Sequence, residues 1–279
     1  KKEITKIMKT VCVITGGGSG MGLAAAKCMP KDKIIVVTGR TMSKLEKAVK
    51  ELEELGYEAY AKTCDTSVRQ QVRELAEYAA TLGEIKNVIN SAGLSPSMAE
   101  PEQLLRVNAL GTVYVNQEFS KLMNRGSVIV DISSNSAYIL PQIVVNMHKK
   151  AFWLADKDEN AFLKKMMGMA KKLGGYKGAG LAYGLSKNFV IWYAAKSAQD
   201  LGAKGIRVCS LSPGLIATDM GNLEGGERDD LTATVAERRM GKPEELGFAI
   251  ATVADERNGY LAGVDVLVDG GSVTGKEFV

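Results

Sequence analysis

Seven short apolar runs recur along the chain with helical stretches between them, and nothing else in the sequence constrains the fold as much. They lie at residues 11–14, 34–37, 58–63 (the weakest), 87–89, 127–132, 207–211 and 264–268. Continuous apolar runs of this length suit buried strands of a parallel sheet covered on both faces. The intervening segments carry helical spacing: Leu45, Val49, Leu52 and Leu55 recur every three or four residues. Ser43 and Glu46 suggest a capping box there, and Ser67 a cap for a helix over 67–81. Such alternation predicts right-handed crossovers and a doubly wound α/β fold with seven parallel strands and helices on both faces. No composition break or repeat divides residues 1–279, so a single domain is expected, with 1–9 as a leader and Met8 as a candidate native start.

Composition narrows the function classes. Apolar residues make up 46% and charged residues 24%, a globular balance that argues against disorder. The formal charge of +4 is small and its lysines are scattered; Lys149-Lys150, Lys164-Lys165 and Lys171-Lys172 read as solvated helix faces, not a nucleic-acid surface. No apolar run approaches the roughly 20 residues needed to span a bilayer, and the first residues do not read as a signal peptide, so a cytoplasmic protein without a membrane partner is expected. Cys12, Cys28, Cys64 and Cys209 form no C-x-x-C pair, and the lone histidine, His148, reads as a surface or lid residue. A zinc site and a Ser-His-Asp triad are therefore not expected.

The rhythm breaks between Ser134 and Ala182, where no strand candidate occurs. A structureless loop this long is unusual in a compact domain, so residues 140–180 are expected to form a helical insertion. Met166, Met167 and Met169 give it soft apolar surface. Two readings stand side by side: packing on the body or another subunit, and a lid over an apolar substrate.

Two clusters carry chemistry. Thr15-Gly16-Gly17-Gly18-Ser19-Gly20-Met21-Gly22 follows the first strand and precedes a helical run from Met21. Glycines there allow close approach to a pyrophosphate at a helix N-terminus. Tyr183 and Lys187 stand four residues apart, on one face of a helix. An ammonium beside a phenol favours phenolate, drawing tyrosine down from its reference of about 10. Such a pair can exchange a proton with an alcohol or ketone oxygen. The second strand ends Thr38-Gly39-Arg40-Thr41-Met42-Ser43-Lys44 without a carboxylate. Arg40 offers a fork suited to a 2′-phosphate, with Thr41, Ser43 and Lys44 as further donors, so NADP(H) is favoured and NAD(H) is the alternative.

In this order the motifs resemble those of the short-chain dehydrogenase/reductase family nearly end to end. The spacing of the glycine loop is similar to that family's, Asn90-Ser91-Ala92-Gly93 resembles its Asn-Asn-Ala-Gly element, and Tyr183 with Lys187 resembles its Tyr-x-x-x-Lys. Ser212-Pro213-Gly214, the stretch from Arg239 to Glu245 and Val268-Asp269-Gly270-Gly271 resemble its later elements. The resemblance implies a Rossmann-type oxidoreductase that moves hydride between a nicotinamide and a secondary alcohol or ketone. It implies Tyr183 as general acid/base, Lys187 as its partner and ribose ligand, Ser134 as the residue orienting the substrate oxygen, and Asn108 as holder of a relay water. Ser133 and Ser136 are the neighbouring alternatives to Ser134. Cofactor contacts are implied for Gly16, Gly18, Ser19, Gly20, Met21, Gly22, Arg40, Thr41, Asp65, Thr66, Asn90, Ala92, Gly93, Tyr183, Lys187, Pro213, Gly214, Ile216 and Thr218. Ser19 stands where many NADP-using relatives carry a basic residue.

The stretch from Gly93 to Asn108 is shorter than usual for the family and that from Ser134 to Tyr183 much longer. A comparable insertion occurs in some relatives acting on hydroxysteroids, which makes a steroid or bile-acid alcohol the leading substrate class. The alternatives are a carbonyl or acyl-thioester reductase of the same family and, in a different class, a non-catalytic dinucleotide sensor; an S-adenosylmethionine-dependent transferase fails on the Tyr-x-x-x-Lys and Asn-Ser-Ala-Gly elements. The resemblance also implies a homo-oligomer, dimer or tetramer, built through helices near 102–123 and 183–201. A monomer with those faces covered by the insertion is the other arrangement.

Overall fold

A computed structural model describes residues 9–223 and 232–277, so the expected leader lies outside the described residues except at Lys9. Seven strands form one parallel sheet in the order β3-β2-β1-β4-β5-β6-β7. They are β1 (Thr10–Thr15), β2 (Ile34–Gly39), β3 (Glu58–Thr63), β4 (Glu84–Asn90), β5 (Val128–Ile132), β6 (Arg207–Pro213) and β7 (Asp265–Val268). Every neighbouring pair is parallel. The apolar runs at 11–14, 34–37 and 128–132 are buried throughout, whereas edge strand β3 is buried only at Ala59, which is why its signal is weakest. The chain winds outward from β1 to β3 and then restarts at β4 on the other side of β1. That reversal opens a crevice at the carboxyl ends of β1 and β4, where such sheets bind ligands.

Helices cover both faces: α1 (Gly20–Cys28), α2 (Met42–Glu54), α3 (Arg69–Leu82), α4 (Pro101–Leu105), α5 (Gly111–Phe119), α6 (Gln142–Phe152), α7 (Glu159–Leu173), α8 (Gly175–Gly202), α9 (Asp219–Leu223), α10 (Pro243–Val253) and α11 (Ser272–Gly275). A π-helical turn, Arg106–Leu110, joins α4 to α5. Both expected caps are corrected. The N-cap of α2 is Thr41, without a side-chain bond, so Ser43 lies inside the helix. The N-cap of α3 is Val68, because Ser67 is drawn into a turn by Asp65, whose Oδ1 accepts from Ser67 N at 2.9 Å and Oγ at 2.6 Å.

The insertion is helical, comprising α6, α7 and the first turns of α8. One apolar face of it turns inward, with Phe152, Phe162 and Met166 buried in the same core as Phe189 of α8, while Ile143, Met147, Trp153, Leu173 and Tyr176 are exposed. The ring of Phe189 lies 5.3 Å from Phe152 and 5.0 Å from Phe162, and Trp153 meets Trp192 at 4.9 Å. Polar contacts fasten the same unit. Glu159 accepts from Arg69 at 3.2 Å and from the Tyr114 hydroxyl at 2.6 Å, and Asp156 accepts from the Tyr193 hydroxyl at 2.8 Å. The second apolar face of α8 is thus covered by this chain's own insertion. His148 is a correction too: it is buried, its Nδ1 2.8 Å from the Val144 carbonyl.

Candidate active site

The glycine loop turns off β1 with Gly16 at φ +65°, a conformation that favours glycine. A Cβ on Gly22 would stand 2.5 Å from the Gly16 carbonyl oxygen, so the start of α1 closes directly over the turn. Ser19 is the N-cap of α1, with no side-chain cap bond and no acidic residue in the first turn. The N–H groups and positive end of that helix therefore remain available to an anion. Thr218 faces Gly20 across the loop; a Cβ there would lie 3.6 Å from its Cγ2. Thr15 ties the loop to the end of β4 by donating to Asn90 Oδ1 at 2.9 Å and accepting from Ala92 N at 3.0 Å.

Beyond β2, Arg40 and Lys44 are exposed and make no ion pair among the described residues. Lys44 borders the loop, since a Cβ on Gly18 would meet its Cβ at 3.6 Å. Asp65 and Thr66 follow β3, and Thr66 is buried against Gly111. These positions suit a dinucleotide: a glycine cradle with an open helix terminus at one end and free cations beside it.

Ser134, Tyr183 and Lys187 line one cavity of about 360 Å³ together with Met21, Gly93, Pro213, Gly214, Ile216 and Thr218. Tyr183 and Lys187 project from α8, and the ammonium lies 5.8 Å from the tyrosine ring centroid. Lys187 is buried and its Nζ donates to the Ile132 carbonyl at 3.0 Å. Burial pulls this lysine down to about 8, opposed by the charge of Asp131. A Cβ on Gly93 would come within 3.4 Å of Lys187 Nζ, so the glycine leaves room for the ammonium.

The two neighbouring serines make different bonds. Ser133 Oγ donates to the Lys187 carbonyl at 2.7 Å and is committed to the scaffold. Ser134 Oγ accepts the Ser136 backbone N–H at 3.2 Å and keeps its hydroxyl at the cavity, with only a 3.5 Å contact to Asn135. Ser136 Oγ is buried without a partner.

Two expected side chains spend their amides on internal bonds. Asn108 does not line the cavity; its amide clamps Leu94, accepting from N at 2.8 Å and donating to O at 2.9 Å, and reaches Ser186 Oγ at 3.3 Å. Its carbonyl sits in the π-turn and accepts from Thr112 Oγ1 at 2.9 Å. The amide of Asn90 is likewise spent internally, on Thr15, Thr112 and Asp131. A cofactor contact there falls to the backbone.

None of the residues lining this cavity belongs to 140–180; of the two readings, the contacts are those of packing on the body, with the insertion against α4 and α8. The cavity wall comes instead from Leu94, Ile139, Leu215 and Met220, and from Thr234, Ser272 and Lys276 near the C-terminus. Sequence reasoning missed these. The one available signal was the glycine pair after β7, where Asp269 accepts from Gly271 N at 2.9 Å and Val273 N at 2.8 Å and folds the chain end toward the cavity.

This is the architecture of a nicotinamide-dependent oxidoreductase. Residues 10–146 match the family model described as short chain dehydrogenase, and residues 164–273 match that described as Enoyl-(Acyl carrier protein) reductase. The chain belongs to the short-chain dehydrogenase/reductase family and is an NAD(P)-dependent oxidoreductase of that class. It is 30% identical to the short-chain dehydrogenase/reductase bsc3 of Alternaria brassicicola, over 95% of this chain and 96% of that one. It is 27% identical to carbonyl reductase family member 4 of Xenopus tropicalis, over 95% and 98%. Its fold is similar to a short chain dehydrogenase from Burkholderia cenocepacia in complex with NADP, at a TM-score of 0.74 and 23% identity over 94% and 96% of the two chains. Residues 147–163, within the insertion, fall between the two family matches.

Proposed function

We propose that the chain interconverts a ketone and a secondary alcohol on an apolar small molecule, using NADP(H) in preference to NAD(H). The observation that carries this reading is the convergence of Ser134, Tyr183 and Lys187 on one cavity beside the glycine loop. Bound nicotinamide would supply the hydride. The remaining work falls to side chains: Ser134 donates to the substrate oxygen and orients it, Tyr183 exchanges its phenolic proton with that oxygen, and the Lys187 ammonium stabilises the phenolate form. A sensor without turnover would need none of the three. The NADP preference is supported by free Arg40 and Lys44 and by the absence of a carboxylate at the end of β2.

A hydroxysteroid or bile acid keeps the apolar wall of Leu94, Ile139, Leu215 and Met220 in its favour, but residues 140–180 add nothing to that wall. The cavity volume favours the second reading, a compact ketone or acyl thioester. At about 360 Å³ the cavity lies near the lower end of the range for ligand pockets and must hold the nicotinamide as well. A cytoplasmic location and a homo-oligomer complete the proposal; no helix among the described residues is long and apolar enough to cross a membrane. Association through α8 would have to leave the Phe189 cluster in place.

Titration with NADPH and NADH, followed by turnover assays on steroid, bile-acid, small-ketone and acyl-thioester substrates, tests the reading. NADPH-linked turnover of any ketone supports it, and the preferred size chooses between the two substrate classes. Cofactor binding without turnover on any of them overturns the enzymatic assignment in favour of a sensor.

A further inference from the structure

Asp131 lies on β5, one residue before Ile132, and is completely buried. Its Oδ1 accepts from Asn90 Nδ2 at 2.9 Å and from Asn116 Nδ2 at 3.0 Å, and its Oδ2 accepts from Asn116 Nδ2 at 2.9 Å. Both amides donate to the carboxylate, which favours its charged form and opposes the stronger upward push of burial. An anion this deep is costly without a compensating charge. Asp131 and Lys187 form no direct ion pair, but the buried Lys187 Nζ donates to the carbonyl of the very next residue, Ile132, at 3.0 Å, and the two charges act on each other through the dry interior between. Burial pushes Asp131 up to about 7, only partly offset by Asn90, Asn116 and Lys187, and Asp131 in turn opposes the downward pull of burial on Lys187. The other titratable groups that feel its charge are Tyr193 of α8 and Cys209 of β6, both driven toward their neutral forms. Ser210 pairs with Asp131 across β5 and β6, and its hydroxyl has no partner.

The carboxylate is also wired to the rest of the site. Asn90 Nδ2 donates to Thr112 Oγ1 at 3.2 Å, and that hydroxyl donates to the Asn108 carbonyl at 2.9 Å. The other end of Asn90 holds Thr15, at the entry to the glycine loop.

We infer that Asp131 is a positioning residue for the reaction, a buried counter-ion that keeps Lys187 protonated and seated beside Tyr183. A lysine in this dry position without its counter-charge releases its proton, and a neutral amine no longer stabilises the phenolate of Tyr183. The inference rests on Tyr183 and Lys187 acting as proposed above. The purely structural alternative is that Asp131 only ties β5 to β4 and α5.

The test is Asp131→Asn, which keeps the shape and removes the charge. In the cofactor-free protein, ¹³C NMR of the lysine Cε groups should show Lys187 titrating at lower pH in the variant. Reciprocally, the Asp131 carboxyl should titrate at higher pH in Lys187→Met. On the alcohols used for the turnover assays, the acid limb of kcat/KM for oxidation should move up by about one pH unit, with activity recovered above it. Unmoved titrations, with activity lowered equally at every pH, would overturn the inference and leave Asp131 a scaffold residue. If Asp131→Asn does not fold, the Lys187→Met arm decides alone. If no alcohol turns over, the NMR titrations still decide, separating failure here from failure of the functional proposal.

Discussion

Arg40→Ala is the sharpest probe of cofactor choice, because the structure isolates one interaction. The guanidinium is exposed and makes no ion pair or hydrogen bond among the described residues, so its removal strands no internal partner. Folding stability should therefore stay within about 0.5 kcal/mol of the parent. A hydrogen bond to a charged group contributes about 1.5–3 kcal/mol. Solvent exposure favours the lower end, and about 1.5 kcal/mol corresponds to roughly a tenfold loss in affinity. NADPH binding should weaken by that factor while NADH binding is unchanged, since NADH carries no 2′-phosphate. Raising the salt concentration should narrow the difference between the two cofactors in the parent protein by screening this exposed contact. Fluorescence titration of both cofactors against parent and variant at two ionic strengths reads all of these effects. An unchanged NADPH to NADH ratio in Arg40→Ala would refute the reasoning and make Arg40 a bystander.

Three further outcomes follow from the packing and the site. Phe189→Ala removes a fully buried ring that bridges α8 to α6 and α7, and should cost about 3–5 kcal/mol, with hydrogen exchange accelerating first across 142–173; uniform acceleration throughout the sheet would argue against the insertion as a docked unit. Ser134→Ala should abolish most turnover, whereas Ser133→Ala should chiefly lower stability, by about 1 kcal/mol, through the lost bond to the Lys187 carbonyl; the reverse pattern in kcat and Tm would place the register one residue off. Burial pushes the thiols of Cys12 and Cys64 up to about 12, while Cys28 is exposed. A thiol reagent near neutral pH should therefore label Cys28 first and those two only on unfolding, and rapid labelling of either in the native protein would contradict the core described here.

Much of the fold was legible because buried parallel strands are written as unbroken apolar runs. Residues 11–14 and 34–37 could hardly be anything but central strands. The pairing of Tyr183 with Lys187 at one cavity was legible because they sit one helical turn apart, a local relationship that spacing alone conveys. What spacing does not convey is which surface a segment meets. Phe152, Phe162 and Met166 announce that the insertion buries an apolar face, yet they fit a substrate lid as well as the Phe189 face of α8, which they cover. The failed caps are of the same kind: Ser67 was a plausible cap until Asp65, two residues earlier, competed for it. The wall contributed by Thr234, Ser272 and Lys276 depends on a late turn that returns distant sequence to the cavity. Asp131 passed as one polar residue in a strand, because its partners Asn90, Asn116 and Lys187 come together only in the folded sheet.

The central claim is that Tyr183 moves the proton while the glycine loop and its surroundings hold the cofactor. Tyr183→Phe, assayed for NADPH binding by fluorescence and for ketone reduction by cofactor turnover, tests it most directly. The account predicts that NADPH still binds while kcat falls by roughly 10²–10⁴-fold. Turnover equal to that of the parent would contradict it, because the proton would then come from another group.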